Sequence, residues 1–221
     1  VAIVGATGSG KSTLARLIPR FYDVSSGTVR FDGHDVRTVA LGDLRQSAAT
    51  VTDDPFLFAT SIRDNVAFAR PDASDGGVQA AIDDAAAGGF VADLPHGMDT
   101  EVGERGLTLS GGQRQRIAIA RTLLADPAVL ILDDATSAID VAVEERIHAA
   151  LEARNAERTT ILIAHRLSTI ALADRVILLD DGLVAATGTH EHLLATNPRY
   201  AAILADTDRH DGAEDDTGED H

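Results

Sequence analysis

Cysteine is absent from this sequence of 221 residues, which excludes disulfide bonds and thiolate chemistry, including thiolate metal sites. The lack of disulfides agrees with a reducing compartment. Long hydrophobic runs are also absent, since none approaches the ~20 residues that a membrane-spanning helix needs. No signal-peptide pattern is visible. The remaining composition, 44% hydrophobic and 24% charged, predicts one large globular domain or a domain with a subdomain.

Basic residues are scarce, because 19 lysines and arginines face 35 aspartates and glutamates, and the net charge is −16. Lys11 is the only lysine. Residues 206–221 hold eight of the acids and one arginine, so they carry −7 and leave −9 on the rest of the chain. An acidic domain is a poor partner for nucleic acid by non-specific electrostatics. We expect residues 206–221 to be a disordered, solvating tail, with a regulatory or partner-binding role as the alternative.

The first glycine-rich stretch has the order of strand, loop and helix that a phosphate-binding loop requires. An apolar run, Val1–Val4, precedes it, and a predicted helix over Leu14–Phe21 follows. The stretch, called the phosphate loop below, consists of Gly5, Ala6, Thr7, Gly8, Ser9, Gly10, Lys11, Ser12 and Thr13. Its glycines let backbone N–H groups approach a phosphate, and the helix N-terminus adds partial positive charge. Lys11 can reach β- and γ-phosphates and Ser12 can ligate Mg²⁺, while the alternative is a glycine-rich turn without a ligand.

A second predicted anion-binding helix end lies far downstream in the sequence. It is formed by Leu109, Ser110, Gly111, Gly112 and Gln113, which open a predicted helix over Arg114–Ala125. Ser110 has the side chain of an N-cap residue, and the glycines free the backbone at the helix start. Arg114 and Arg116 add positive charge close by. A simple capped helix without a ligand is the alternative.

Two carboxylates follow an apolar strand. Ala128–Leu132 is a continuous apolar run, typical of a strand buried on both faces of a sheet, and Asp133 and Asp134 come next. The carboxyl ends of parallel strands lie at the crevice where ligands bind. Asp133 is therefore placed to hold Mg²⁺, directly or through water, and Asp134 to polarise a water. The alternative is an ion-paired Asp-Asp sequence at a strand end.

A histidine ends a second buried strand. The strand is predicted over Thr159–Ala164, and His165 follows it on the same rim as Asp133. This position favours a contact with a γ-phosphate, although a lone histidine is usually a surface or packed residue. The other histidines stay unassigned: His34, His96, His148, His190, His192, His210 and His221.

Residues Ser61–Gly106 differ from the rest of the chain, because helical stretches replace the strand pattern. These stretches are Ile62–Ala69 and Val78–Val91, and they are separated by Pro71 and the glycine pairs Gly76-Gly77 and Gly88-Gly89. We interpret the region as a helical insertion into an α/β core. The predicted divisions are a first core segment (residues 1–60), a helical subdomain (61–125), a second core segment (126–205) and the tail (206–221). Because the chain begins inside a strand, we expect it to be a piece of a longer protein.

Turn and cap signals divide the rest of the chain. Asp32-Gly33 and Asp180–Gly182 are two such turns. The remaining predicted elements are strands at Thr28–Phe31 and Ala48–Thr52, a helix at Leu41–Arg45, a hairpin over Val176–Ala186, and helices capped by Thr189 and Asn197.

Together these residues resemble an ATP-binding cassette (ABC) nucleotide-binding domain of the exporter type, from Val1 to about Leu204. The matching segments are the Walker A loop Gly5–Thr13, the signature segment Leu109–Gln113, the Walker B strand with Asp133, the D-loop Ser137–Asp140, the switch histidine His165 and the exporter X-loop Thr100–Gly106. The resemblance implies an α/β fold. Its P-loop NTPase core would be a mostly parallel sheet flanked by helices, with an inserted helical subdomain and without the family's N-terminal antiparallel strands.

The resemblance also implies a mechanism that uses ATP and Mg²⁺. Two such domains sandwich two ATP molecules head to tail, and the signature segment of each completes the site of the other. ATP binding closes the pair and hydrolysis reopens it, which moves transmembrane domains that are absent from this chain. The domain would lie at the cytoplasmic face of the cell membrane, with Arg45 and Phe56–Phe58 toward the coupling helices.

Three departures from the family's pattern matter. Asp134 stands where members usually carry the glutamate general base, and its side chain is one methylene shorter. Asp53 stands at the usual glutamine of the Q-loop, where a carboxylate can still ligate Mg²⁺ but adds negative charge. The aromatic residue that stacks on adenine lies upstream of Walker A in the family, ahead of Val1.

The first two departures resemble the non-hydrolysing half of a heterodimeric exporter. We therefore expect slow hydrolysis at the site formed by Lys11, Asp133 and Asp134, and a heterodimer with a hydrolysing partner. A fully active homodimeric exporter is the alternative. Two other classes of function are considered. One is a DNA-repair or chromosome-maintenance ATPase, which the short insertion and the X-loop match disfavour. The other is a module that only binds ATP.

Overall fold

The structure, a computed structural model, describes residues 1–103, 108–154, 158–163 and 166–205. Its strands are β1 (Ala2–Val4), β2 (Arg30–Phe31), β3 (His34–Asp35), β4 (Ala48–Thr52), β5 (Val129–Asp133), β6 (Thr159–Ile163), β7 (Val176–Asp180) and β8 (Leu183–Gly188). Its helices are α1 (Lys11–Leu17), α2 (Leu41–Ser47), α3 (Ile62–Val66), α4 (Asp75–Asp84), α5 (Gly88–Ala92), α6 (Gly111–Ala125), α7 (Val141–Arg154), α8 (Leu167–Ala171), α9 (His190–Thr196) and α10 (198–205). Short 3-10 helices cover Ala67–Ala69 and Gly97–Asp99.

Six strands form one sheet in the order β4-β5-β6-β1-β7-β8. Neighbouring strands are parallel throughout, except that β8 is antiparallel to β7. This mostly parallel sheet with flanking helices confirms the predicted α/β fold of the P-loop NTPase type. No helix among the described residues has the length and apolar character to cross a membrane.

Strand β5 shows why the predicted site lies at one edge of the sheet. Its residues Leu130–Leu132 are at most 3% exposed, as an apolar run between two neighbouring strands should be. Asp133 pairs in register with Thr52 of β4 and Ile163 of β6. The chain segments that follow these parallel strands therefore emerge at the same edge, together with the phosphate loop after β1.

Helix α1 is shorter than the predicted Leu14–Phe21. It begins at Lys11 and ends at Leu17, and Arg20 adopts a left-handed backbone with φ 55°. Pro19 lacks a backbone N–H, and its ring clashes with a helix that continues through it. The prediction overlooked this signal in the sequence.

The strand predicted at Thr28–Phe31 is shorter in the structure and belongs to a small hairpin. Only Arg30 and Phe31 of the predicted strand Thr28–Phe31 pair, and their partners are His34 and Asp35. The Asp32-Gly33 turn is confirmed, with φ values of 47° and 78°. Two consecutive left-handed residues are what a two-residue hairpin of this kind requires.

The helical stretch predicted at Val78–Val91 begins earlier and consists of two helices. Helix α4 starts at Asp75 because the Ser74 hydroxyl accepts a hydrogen bond from Gly77 N at 3.2 Å. Ala86 then adopts a left-handed backbone with φ 52°, and α5 starts at Gly88. The prediction that the first glycine pair, Gly76-Gly77, lies between helices was wrong.

Helices α3, α4 and α6 pack on one another. The contact uses fully buried aliphatic side chains, including Ile62, Val78, Ile82 and Ile117. The same core cluster reaches Leu130 on β5. The helical layer is therefore continuous with the sheet, while the exact division at 61–125 stays a prediction.

Candidate nucleotide site

The phosphate loop is a tight backbone turn between β1 and α1. A hydrogen bond from Ser9 N to Ala6 O, 3.1 Å long, closes the turn. Gly10 is the N-cap residue before α1 and has φ 100°, a conformation that side-chain-bearing residues rarely adopt. The Ser9 hydroxyl is buried and finds no hydrogen-bond partner among the described residues. The loop thus holds a polar atom that suits a ligand with acceptor oxygens, such as a phosphate.

The side chain of Lys11 is folded back across the phosphate loop. Its Nζ donates hydrogen bonds to Gly5 O at 2.7 Å and to Ala6 O at 3.2 Å, and the residue is 6% exposed. Burial lowers the pKa of Lys11, and the charges of Asp134 and Asp133 partly oppose that effect. The ammonium group of the chain's only lysine is therefore held close to both carboxylates.

Two residues 121 positions apart meet at the sheet edge. Ser12 Oγ donates a hydrogen bond to Asp133 Oδ1 at 2.9 Å. Burial raises the pKa of Asp133; the Ser12 hydrogen bond lowers it, and the neighbouring charge of Asp134 raises it. A hydroxyl and a carboxylate oxygen at one point are hard ligands of the kind that Mg²⁺ prefers, so these residues fit the predicted ion.

Asp134 adopts a left-handed backbone with φ 51°, which the sequence did not predict. Its N–H donates to Ile163 O at 3.0 Å, so the residue still holds β5 against β6 while it turns the chain away from the sheet. Asp and Asn tolerate this conformation better than other side-chain-bearing residues. The partly buried side chain lies at the mouth of the site, close enough for its charge to act on Lys11.

Asp53 follows β4 at the same edge of the sheet. Its side chain is exposed, and its charge contributes to raising the pKa of Asp133. Its carbonyl oxygen accepts a 2.7 Å hydrogen bond from Gln115 Nε2. The third predicted oxygen ligand therefore lies near the other two, although its role as a metal ligand stays a prediction.

The signature segment forms the start of α6 with a reciprocal cap. Ser110 Oγ accepts from Gln113 N at 3.2 Å, and Gln113 Oε1 accepts from Ser110 N at 2.8 Å. The predicted N-cap is thus confirmed as a capping box. Gly112 packs closely against the D-loop. A Cβ atom added to Gly112 would lie 2.4 Å from Ala138 O. This close contact is what requires glycine at position 112.

We expect Ser110→Ala to lower the free energy of unfolding by about 1 kcal/mol, because the first turn of α6 loses a cap bond. Urea unfolding of the chain measures this change. Ser168→Ala is the matched control, since Ser168 is exposed within α8. Equal stability of the two variants would show that the capping box contributes nothing measurable.

His165 lies outside the described residues, but its neighbour Arg166 is well placed. Arg166 donates to Ser137 O at 2.9 Å and to Ile139 O at 2.8 Å. Both carbonyls belong to the predicted D-loop, Ser137–Asp140. The residue after the predicted switch histidine therefore holds the D-loop by its backbone.

Glu144 anchors this arrangement from helix α7. It is 2% exposed and accepts hydrogen bonds from Thr136 Oγ1 at 2.7 Å and Thr169 Oγ1 at 2.5 Å. Arg166 lies 3.4 Å from its Oε2. Burial raises the pKa of Glu144, but His148 and the two threonine hydroxyls outweigh burial and lower it to about 2. A buried carboxylate thus stays charged beneath the D-loop.

The predicted X-loop, Thr100–Gly106, is described only through Gly103. Within that stretch, Thr100 O accepts from Ile62 N at 3.0 Å and Glu101 forms an isolated bridge with Ser61. The segment therefore lies against the start of α3 in the helical layer.

Sequence reasoning missed Gln115, Glu144 and Arg166. Each is a polar residue inside or beside a helical pattern that also contains other polar residues, and each bonds to a segment 8 to 62 positions away. No local spacing rule singles out such residues. Gln115 stands within the polar run Gln113–Arg116, ahead of the apolar residues that begin at Ile117, so its burial leaves no mark in the sequence pattern.

Comparison with known proteins agrees with the site geometry. A family model described as ABC transporter matches residues 1–137. Proteins of Staphylococcus aureus strains NCTC 8325 and COL are 48% identical over 205 residues, 93% of this chain and 36% of theirs. Their names describe multidrug export ATP-binding/permease proteins. The chain therefore spans about a third of the length of these curated relatives.

A solved structure shows the same fold. The structure of a bacterial Atm1-family ABC exporter with ATP bound has a TM-score of 0.89 and 48% identity, over 93% of this chain and 36% of that one. These relatives are exporters, so the DNA-repair alternative is dropped. With the family model covering more than half of its length, this chain belongs to the ABC transporter family.

Proposed function

We propose that this chain is the ATP-binding and ATP-hydrolysing domain of an ABC exporter. The 2.9 Å contact between Ser12 Oγ and Asp133 Oδ1 carries the proposal, because it joins the phosphate loop to the carboxylates beside Lys11. An N–H-lined loop, an ammonium group and hard oxygen ligands are the parts that phosphoryl transfer from ATP requires. The exporter names of the relatives support the transport role.

In this proposal each group at the sheet edge has one task. The N–H groups of the phosphate loop and Lys11 bind the β- and γ-phosphates and offset charge that develops on their oxygens. Ser12, Asp133 and Asp53 would hold Mg²⁺, which supplies Lewis-acid charge when bound. Water forms a bond to the γ-phosphorus while the bond to the bridging oxygen breaks, and that oxygen leaves with its electron pair on ADP.

Asp134 is the proposed acceptor of the water's proton. It lies beside Lys11 at the sheet edge, but its side chain is one methylene shorter than glutamate. A misplacement of about 1 Å can cost on the order of 10²-fold in rate. Slow hydrolysis at this site follows. His165 is proposed to contact the γ-phosphate.

The partner of this domain is proposed to be a second nucleotide-binding domain. Leu109–Gln113 would complete the partner's ATP site, and the capping box presents the Ser110 helix end for that contact. A heterodimer is favoured because Asp53 and Asp134 both weaken this chain's own site. A homodimer in which Asp134 works as a normal base is the rival.

Three exposed aromatic rings form a surface cluster, called the aromatic patch. We propose that it contacts the transmembrane domains. Phe56, Phe58 and Phe68 are 56%, 36% and 58% exposed. Phe58 stacks on Phe68 with centroids 4.5 Å apart. Arg121 lies over Phe58 and binds Phe56 O at 3.0 Å, which fixes the patch to α6. Exposed apolar clusters of this kind mark interaction sites.

Steady-state ATP hydrolysis by the full-length parent subunit, alone and with its partner half, tests the proposal. We expect low turnover alone, a sharp rise with the partner, and a fall when the partner's own catalytic carboxylate is removed. Turnover of roughly 1–10 s⁻¹ by the subunit alone, ordinary for an enzyme, would instead favour the homodimer. Absence of any nucleotide binding would overturn the assignment.

A further inference from the structure

One buried amide joins three segments of the site. Gln115 lies on α6 and is 1% exposed. Its Nε2 donates to Asp53 O at 2.7 Å and to Ser137 Oγ at 2.9 Å. Its Oε1 accepts from Ala138 N at 3.1 Å. The helix that begins with the signature segment is thereby tied to the turn after β4 and to the predicted D-loop.

The two glycines of the signature segment also pack directly against the D-loop, next to the hydrogen bonds of Gln115. A Cβ at Gly112 would lie 2.4 Å from Ala138 O, and one at Gly111 would lie 3.4 Å from Ala138 Cβ. The start of α6 and the D-loop thus touch without space between them. A shift of either one must move the other or break the bonds to Gln115.

We propose that Gln115 is a positioning residue that couples this chain's own nucleotide site to its signature segment and D-loop. The proposal rests on the proposed function, in which Asp53 faces the chain's own nucleotide and Leu109–Gln113 faces the partner's. Gln115 acts through these segments, because its amide is occupied by the three hydrogen bonds just described. Through Gln115, a displacement of the Asp53 backbone is transmitted to the D-loop and to the signature segment, which meets the partner.

The chemistry of the amide explains why glutamine is needed here. The bond to Asp53 O requires a donor, whereas the bond from Ala138 N requires an acceptor. A carboxylate of the same shape can still accept from Ala138 N and from the Ser137 hydroxyl, but it cannot donate to the carbonyl oxygen of Asp53. Gln115→Glu therefore breaks the link to Asp53 selectively. Gln115→Met has similar length and loses all three bonds.

Turnover in the assembled parent transporter tests this coupling. For Gln115→Glu we expect kcat to fall about tenfold, the scale of one buried hydrogen bond, with KM unchanged. The Hill coefficient for ATP should fall toward 1. Thr122→Val is the control, since it removes another buried hydrogen bond of α6, to Ala118 O at 2.9 Å, without touching either loop. A normal kcat in Gln115→Glu, or an equal loss in Thr122→Val, would overturn the coupling.

Hydrogen exchange at the Ala138 amide provides a second test that needs no hydrolysis. Gln115 Oε1 accepts the bond from this N–H, so Gln115→Met should speed its exchange about tenfold, while Thr122→Val should not. Unchanged exchange in Gln115→Met would sink the proposal whatever the turnover. Faster exchange in Gln115→Met, in a parent transporter that never hydrolyses ATP, would instead refute the proposed function and leave the positioning role standing.

Discussion

Replacing Asp134 by glutamate is expected to raise ATP turnover at this chain's own site about 10²-fold. The added methylene extends the carboxylate by about 1 Å, toward a water beside the phosphate loop. The assay is steady-state hydrolysis by the assembled transporter, with the partner's own catalytic carboxylate removed so that only this site turns over. Asp134→Asn, which cannot accept the proton, should turn over more slowly than the wild-type chain.

The backbone at Asp134 calls for a matched control. Glutamate tolerates φ 51° less well than aspartate, so Asp134→Glu should also cost up to about 1 kcal/mol of stability. Asp32→Glu makes the same change at φ 47° in the exposed hairpin turn, and it should cost stability without changing turnover. An unchanged rate in Asp134→Glu would refute the degenerate-site proposal and favour a homodimer in which aspartate suffices.

The regions of the fold that the sequence predicted well are those with dense local signals. Strand β5 was found because five apolar residues precede two carboxylates, and the turn at Asp32-Gly33 was found because this dipeptide is a turn signal. The early end of α1 was also encoded, in Pro19, but the amphipathic pattern was given too much weight. Helix α4 was misplaced because a serine cap stabilises a first turn that contains two glycines.

In the candidate site, too, the residues with dense local signals were predicted and those held by distant contacts were not. The phosphate loop and signature segment are contiguous, so the sequence alone is enough to name their residues. The contact of Ser12 with Asp133 was implied only by both lying at the edge of a parallel sheet, and the fold brings them to 2.9 Å. Gln115 and Glu144 hold the loops of the site through hydrogen bonds to segments that are not adjacent to them in the sequence. Such contacts follow from packing and are invisible to motif spacing.

Replacing the buried Glu144 by glutamine is expected to destabilise the chain by about 3 kcal/mol at pH 7. A fall of its pKa from 4.5 to about 2 corresponds to that free energy, and the lost charge also leaves Arg166 without its carboxylate. Because the folded-state pKa is the lower one, the stabilisation is complete above about pH 5 and is lost as the pH falls toward 2. The difference between variant and wild type should therefore shrink by about 1 kcal/mol between pH 7 and pH 4.

Urea unfolding of both proteins at pH 7 and pH 4 measures this difference, with Glu145→Gln as the control. Glu145 is the adjacent acid on α7 and is exposed, so its loss should leave the stability nearly unchanged at both pH values. A loss in Glu144→Gln that does not depend on pH would assign the effect to packing alone. A loss that shrinks as predicted would show that a charged carboxylate fastens the D-loop to the helix behind it, since Thr136 and Arg166 contact Glu144 from the D-loop side.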